Sequence, residues 1–215
     1  MLDVRMFTVG PIQENSYLVR ANADATEAVF VDPGAEPQRL LAALDELGVT
    51  LAGILLTHTH FDHVGAVPAL AEATGAQVWV PELEYELLLH HDEIMNERGG
   101  MFASLGPFLP YDAEHQVKDG DVVELAGMTF DVVFAPGHSI GHVVYAPREA
   151  AVLLSGDVLF QGSIGRTDLP GGDHPRLLQS IRELVARFDP DTTVLPGHMG
   201  VTTLGAEART NPFLQ

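Results

Sequence analysis

The sequence predicts one α/β (α+β) domain over residues 1–215, and three observations carry that class. Apolar runs of strand length alternate with stretches whose leucines recur at helical spacing. The first strand-like runs follow one another with only turns between them, which looks like an antiparallel opening. At 215 residues and 46% hydrophobic, the chain can bury one substantial core.

Taken in order, residues 3–9 alternate weakly, Gly10-Pro11 breaks the run, and Ser16-Tyr17-Leu18-Val19 and Ala28-Val29-Phe30-Val31 resume it as strands. Asp32-Pro33-Gly34 reads as a turn. Leu40, Leu41, Leu44 and Leu47 then mark a helix that Gly48 stops. Leu51 to Thr57 forms a buried strand, a second helix is expected over about 64–74, and Gln77 to Val80 is another strand. Residues 81–112 differ in character. Glu82 to His91 suggests a helix, and Gly99-Gly100-Met101-Phe102 and Gly106-Pro107-Phe108-Leu109-Pro110 an apolar, irregular segment, read as a lid or crossover. His90 and His91 are expected at the surface, as neighbours on a helix that point apart.

Asp119-Gly120-Asp121 makes a turn, and Met128 to Phe134, Val143 to Ala146, Ala151 to Leu154 and Thr192 to Leu195 are strands. Gly162 to Asp168 is a glycine-rich loop. Asp173 is placed to cap a helix whose buried stripe is Leu177, Leu178, Ile181, Leu184, Val185 and Phe188.

Charge and composition narrow the chemistry. Eleven basic against thirty acidic residues give a formal charge of −19, which disfavours nucleic-acid and anionic-membrane partners. With no cysteine, thiolate metal sites and cysteine nucleophiles are excluded, leaving ten histidines as the ligand pool. The N-terminus lacks a basic head and long apolar stretch, and no run reaches the roughly 18 apolar residues of a membrane helix. A cytoplasmic location is expected.

Four strand-like runs end in metal-grade side chains: His58, His60, Asp62 and His63 after the first, then His138, Asp157 and His198. Imidazole and carboxylate without thiolate suit zinc, manganese or iron(II), and seven such groups exceed what one tetrahedral ion takes. Two divalent ions are therefore expected. His58 and His60, at i and i+2 on extended backbone, can share one ion. Asp157 is the best candidate for a bridging carboxylate between cations about 3.5–4 Å apart.

Thr57-His58-Thr59-His60-Phe61-Asp62-His63, Pro136-Gly137-His138-Ser139-Ile140-Gly141-His142, Ser155-Gly156-Asp157 and Pro196-Gly197-His198, in that order, resemble the motifs of the metallo-β-lactamase superfamily. The resemblance implies a four-layer αβ/βα sandwich, two sheets flanked by helices, with a dinuclear site at one edge. It puts one metal on His58, His60 and His138, the second on Asp62, His63 and His198, and Asp157 between them; His142 falls outside the ligand set. Thr57 and His142 are expected to orient the ligands.

Gly156 to Asp168 resembles the glyoxalase II (hydroxyacylglutathione hydrolase) branch. That likeness implies hydrolysis of a small-molecule thioester, S-2-hydroxyacylglutathione or a relative, by metal-bound hydroxide. Asp62 and Asp157 would be catalytic, and Arg166 would bind substrate. Long members of the branch carry a C-terminal helical domain for glutathione, and the chain resembles the short form without it. An iron(II) persulfide dioxygenase using His58, His138 and Asp157, a lactonase, and a non-catalytic metal-binding protein are the alternatives.

Overall fold

Two six-stranded mixed sheets pack face to face, each covered on its outer side by helices. The structure is a computed structural model that describes residues 1–97 and 108–215. The first sheet takes its strands in chain order: β1 (Asp3–Val9), β2 (Glu14–Arg20), β3 (Glu27–Val31), β4 (Thr50–Leu55), β5 (Gln77–Pro81) and β6 (His115–Val117). Its first three strands are antiparallel and the rest parallel. The second sheet comprises β7 (Val122–Leu125), β8 (Met128–Phe134), β9 (Val143–Pro147), β10 (Val152–Gly156), β13 (Thr193–Pro196) and β14 (Thr202–Thr203), with a hairpin of β11 (Leu159–Phe160) and β12 (Ser163–Ile164) beside it.

The two-residue strand period sorts side chains into layers. In β3, Ala28 and Phe30 face α1 (Pro37–Leu47) and α3 (Val67–Thr74), whose Leu40, Leu44, Val67 and Leu70 cover them. Val29 and Val31 turn the other way and meet Phe130, Val132, Tyr145 and Leu154 of the second sheet. Leu153 and Val144 point outward again, under Leu177, Ile181 and Leu184 of α6 (His174–Arg187) and Leu204 of α7 (Leu204–Thr210). The expected antiparallel opening and four layers are both present.

Local chemistry sets the helix ends. Asp173 accepts from the Arg176 backbone N–H at 3.0 Å, as its N-cap position predicts. Gly48, at φ 64, closes α1. The helix expected over 64–74 is instead two, α2 (Phe61–Val64) and α3, because Pro68 has no N–H to continue α2 and serves as a helix start.

The segment after β5 is also divided. A 3₁₀ turn (Glu82–Glu84) leads into α4 (Tyr85–Leu89), and after a non-helical His90 comes α5 (His91–Glu97). That break corrects the expectation for the paired histidines. His90 is exposed, but His91 is buried, its ring 5.7 Å from Phe108. The irregular stretch of the expected lid, Gly99 to Phe102 and Gly106-Pro107, lies outside the described residues. Among the described residues no helix is long and apolar enough to cross a membrane.

β8, β10 and β13 run in one direction, so their carboxyl ends share a sheet edge. β4 delivers its own C-terminal loop to the same place, and all the metal-grade residues gather there.

Candidate metal centre

β4 ends at Leu55, and the chain passes through Thr57 to Thr59 without helix before α2 begins. His58 and His60 thus stand on open backbone, and His138 arrives from the loop after β8. His58 Nε2 and His60 Nδ1 are 3.0 Å apart, His60 Nδ1 and His138 Nε2 2.8 Å, and His58 Nε2 and His138 Nε2 3.2 Å. Burial pushes His58 well below the usual imidazole range and His60 down to about 3, each reinforced by neighbouring histidines. Both are neutral and offer lone pairs. Tetrahedral coordination at about 2.0–2.1 Å sets donors about 3.3 Å apart. The triangle is close to the size a divalent cation needs.

Asp62 and His63 occupy the first turn of α2, and His198 follows β13; donor atoms of the three lie within 4.8 Å of one another. Asp157, after β10, stands between the clusters. Its Oδ1 is 3.4 Å from His63 Nε2, and its Oδ2 is 3.5 Å from His138 Nε2 and 3.6 Å from His198 Nε2. Burial alone would raise Asp157, yet the facing His63 holds it well below the usual carboxylate range. Burial likewise opposes ionisation of Asp62, and His63 and His198 outweigh it. His63 is the converse case: burial would lower it, and Asp157 and Asp62 raise it.

A proton on His63 therefore stands where a cation would. His63 Nε2 and Asp157 Oδ1 are buried, and neither makes a hydrogen bond. Facing charged groups left so are costly unless an ion engages both. The backbone makes room for one: a Cβ on Gly197 would lie 2.3 Å from Asp157 Oδ1 and 2.6 Å from His63 Cε1. The donor set fits two divalent cations.

The far nitrogens of His58, His63, His138 and His198 are tied down, as is usual for metal-binding imidazoles. His138 Nδ1 donates to the Arg166 carbonyl at 2.8 Å, and His198 Nδ1 to that of Gln13 at 3.3 Å. His63 Nδ1 donates to Asp32 Oδ2 at 3.1 Å. Thr57 Oγ1 donates to the same Asp32 oxygen at 2.6 Å and accepts from His58 Nδ1 at 3.1 Å. His142 Nε2 accepts the Asp157 backbone N–H at 3.0 Å, which places it behind the cluster and not in it.

Three of these neighbours escape the sequence reading. Asp32 belongs to a stretch read as a turn, although it too ends an apolar strand, the available signal. Buried Glu14 lies 3.8 Å from His63 Nδ1 and is raised by its burial. Glu84 is a buried carboxylate that joins the two histidine loops.

Above the centre opens a cavity of about 670 Å³, with His60, Asp62, His138, Asp157 and His198 at its floor. Arg166 reaches its rim, but the guanidinium is forked onto Asp168, Nε to Oδ1 at 2.7 Å and Nη2 to Oδ2 at 2.8 Å.

Comparison with known proteins agrees with this architecture. The chain is similar to Hydroxyacylglutathione hydrolase GloC of Haemophilus influenzae, 36% identical over 213 residues, covering 99% of this chain and 98% of that protein. Among solved structures it resembles BLEG-1 B3 metallo-beta-lactamase, with TM-score 0.90, 40% identity and 99% of both chains covered. It also resembles TTHA1623 in a di-iron-bound form, with TM-score 0.84, 43% identity, and 98% of this chain and 100% of that one covered. A family model of the Metallo-beta-lactamase superfamily matches residues 9–198, and the chain belongs to that superfamily.

Proposed function

We propose that this protein is a dinuclear metal-dependent hydrolase of thioesters, of the hydroxyacylglutathione hydrolase type. One observation carries the reading: the Asp157 carboxylate faces histidines of both clusters, Oδ1 toward His63 at 3.4 Å and Oδ2 toward His138 at 3.5 Å. His58, His60 and His138 would hold one ion, Asp62, His63 and His198 the other, with Asp157 shared. The likeness to GloC supports the thioester as substrate.

When bound, divalent ions supply Lewis acidity toward a carbonyl oxygen and a lowered pKa for water. The protein's own groups do the rest. Asp62, ionised and near the cavity floor, would take at Oδ2 the proton that the attacking water loses; that oxygen faces His198 Nε2 at 3.2 Å. Asp32 and the Arg166 carbonyl fix the rings of His63 and His138. No protein nucleophile is required. Zinc, iron and manganese all suit this donor set, and the similarity to TTHA1623, solved in a di-iron-bound form, makes iron as strong a candidate as zinc.

The test is a metal-quantified preparation assayed side by side against S-lactoylglutathione, a lactone and glutathione persulfide. Close to two ions per chain with thioester turnover is expected; one iron per chain with persulfide oxidation would replace the reading by the dioxygenase. Lactam hydrolysis is a second reading, favoured by the 40% identity to BLEG-1, and a β-lactam in the same panel addresses it.

A further inference from the structure

The cavity over the metal centre has a polar floor and apolar walls. Leu87 from α4, Ile94 and Met95 from α5, and Phe160 and Ile164 from the β11–β12 hairpin line it. At its rim Ile12, Ile140 and Met199 remain 42%, 51% and 57% exposed. Single exposed apolar side chains need no explanation, but three around one opening continue the apolar wall to the surface. The volume, about 670 Å³, falls among clefts that enclose a small organic ligand.

Charge points the same way. Among the described lining residues Arg166 is the only lysine or arginine, and Asp168 already fills its fork. A glutathione thioester brings two carboxylates and one ammonium, and the one guanidinium among these residues already has its Nε and Nη2 engaged by Asp168. The formal charge of −19 adds long-range repulsion against an anion.

We propose that the cavity takes a neutral thioester with an unbranched apolar acyl chain, the chain along the Leu87, Ile94 and Ile164 wall and the carbonyl toward the polar floor. This substrate class rests on the thioester-hydrolase reading above. The chain contributes by burial, so affinity grows with each methylene until the wall is covered.

Non-hydrolysable S-alkyl thioethers of N-acetylcysteamine, ethyl to hexyl, titrated calorimetrically into the metal-loaded protein, separate binding from turnover. The Kd is expected to fall about threefold to fourfold per methylene. S-hexylglutathione should bind no tighter than S-hexyl-N-acetylcysteamine, and Ile94→Asp should weaken the hexyl ligand far more than the ethyl one. A flat series, or a glutathione body that tightens binding by more than about tenfold, overturns the proposal. In the turnover arm, hexanoyl-N-acetylcysteamine should exceed S-lactoylglutathione in kcat/KM by about tenfold or more, and the reverse order also overturns it. If the thioethers bind as expected and no thioester is turned over, the thioesterase reading fails and the assignment of an apolar-chain cavity stands.

Discussion

Glu84 Oε1 accepts a 2.6 Å hydrogen bond from the hydroxyl of Ser139, across 55 residues of sequence. The same carboxylate accepts from the Gly141 N–H at 2.8 Å, from the Thr59 hydroxyl at 2.7 Å and from the Thr59 N–H at 3.2 Å. One buried side chain thus ties the loop bearing His58 and His60 to the loop bearing His138. Glu84→Ala strands several buried donors and is expected to cost about 2–4 kcal/mol of stability. Denaturant unfolding of the metal-loaded variant checks this, and a midpoint equal to that of the parent would refute it.

Asp157 is common to both clusters, so its removal should act on both ions together. For Asp157→Ala we expect metal content to fall below one ion per chain and kcat to drop by more than about 100-fold, beyond what loss of an outer-shell partner costs. Elemental analysis and turnover on one preparation decide it. A variant with two ions and full activity contradicts the shared-ligand geometry.

Gly197 lies so close to the centre that a methyl group would meet Asp157 Oδ1 at 2.3 Å. Gly197→Ala should therefore displace that carboxylate, lower metal affinity, and cost about 1–3 kcal/mol through overpacking. Competition with a chelator of known affinity measures the first effect and thermal unfolding the second. Gly162→Ala is the control, since its φ of 70° makes it a strained site with nothing within 4 Å of the added Cβ; it should keep its metal.

Arg166 pushes the exposed carboxyl of Asp168 down to about 2 by hydrogen bonding. A depressed carboxyl favours the folded state above its unfolded value of about 3.9, and that contribution is lost as pH falls toward 2. Across neutral assay conditions the pair is intact. Arg166→Ala should thus change KM alike for acidic and neutral thioesters, with no pH dependence between 6 and about 8. A KM increase confined to acidic substrates would show that the guanidinium leaves Asp168 to read them.

The layered fold was readable because strand alternation is local. In Ala28-Val29-Phe30-Val31 each residue's face follows from its neighbour's. The candidate ligands were readable for a related reason, since His58, His138, Asp157 and His198 each follow an apolar run. What stayed hidden depends on contacts distant in sequence. Nothing near Glu84 announces Ser139, and the inward turn of His91 follows from a helix break at His90 that no proline or glycine marks. Asp32 was concealed differently: its Pro-Gly context signals a turn, while its bonds to Thr57 and His63 form only when β3 and β4 pair. Arg166 stands out in the sequence for its place in the Gly156 to Asp168 stretch and for its charge, and the structure adds a main-chain contact that residue type does not encode, its carbonyl on His138 Nδ1.

The turn from Lys118 to Asp121 is the only crossing between the end of β6 and the start of β7, and it separates the first sheet from the second. Four of the candidate ligands, His58, His60, Asp62 and His63, precede it, and His138, Asp157 and His198 follow it. Each candidate ion therefore draws on both sides. Cut at Gly120, the chain gives two fragments that each hold one whole sheet and half of each ion site. The apolar layer between the sheets would hold the two fragments together, and divalent metal, drawing ligands from both, would tighten their association.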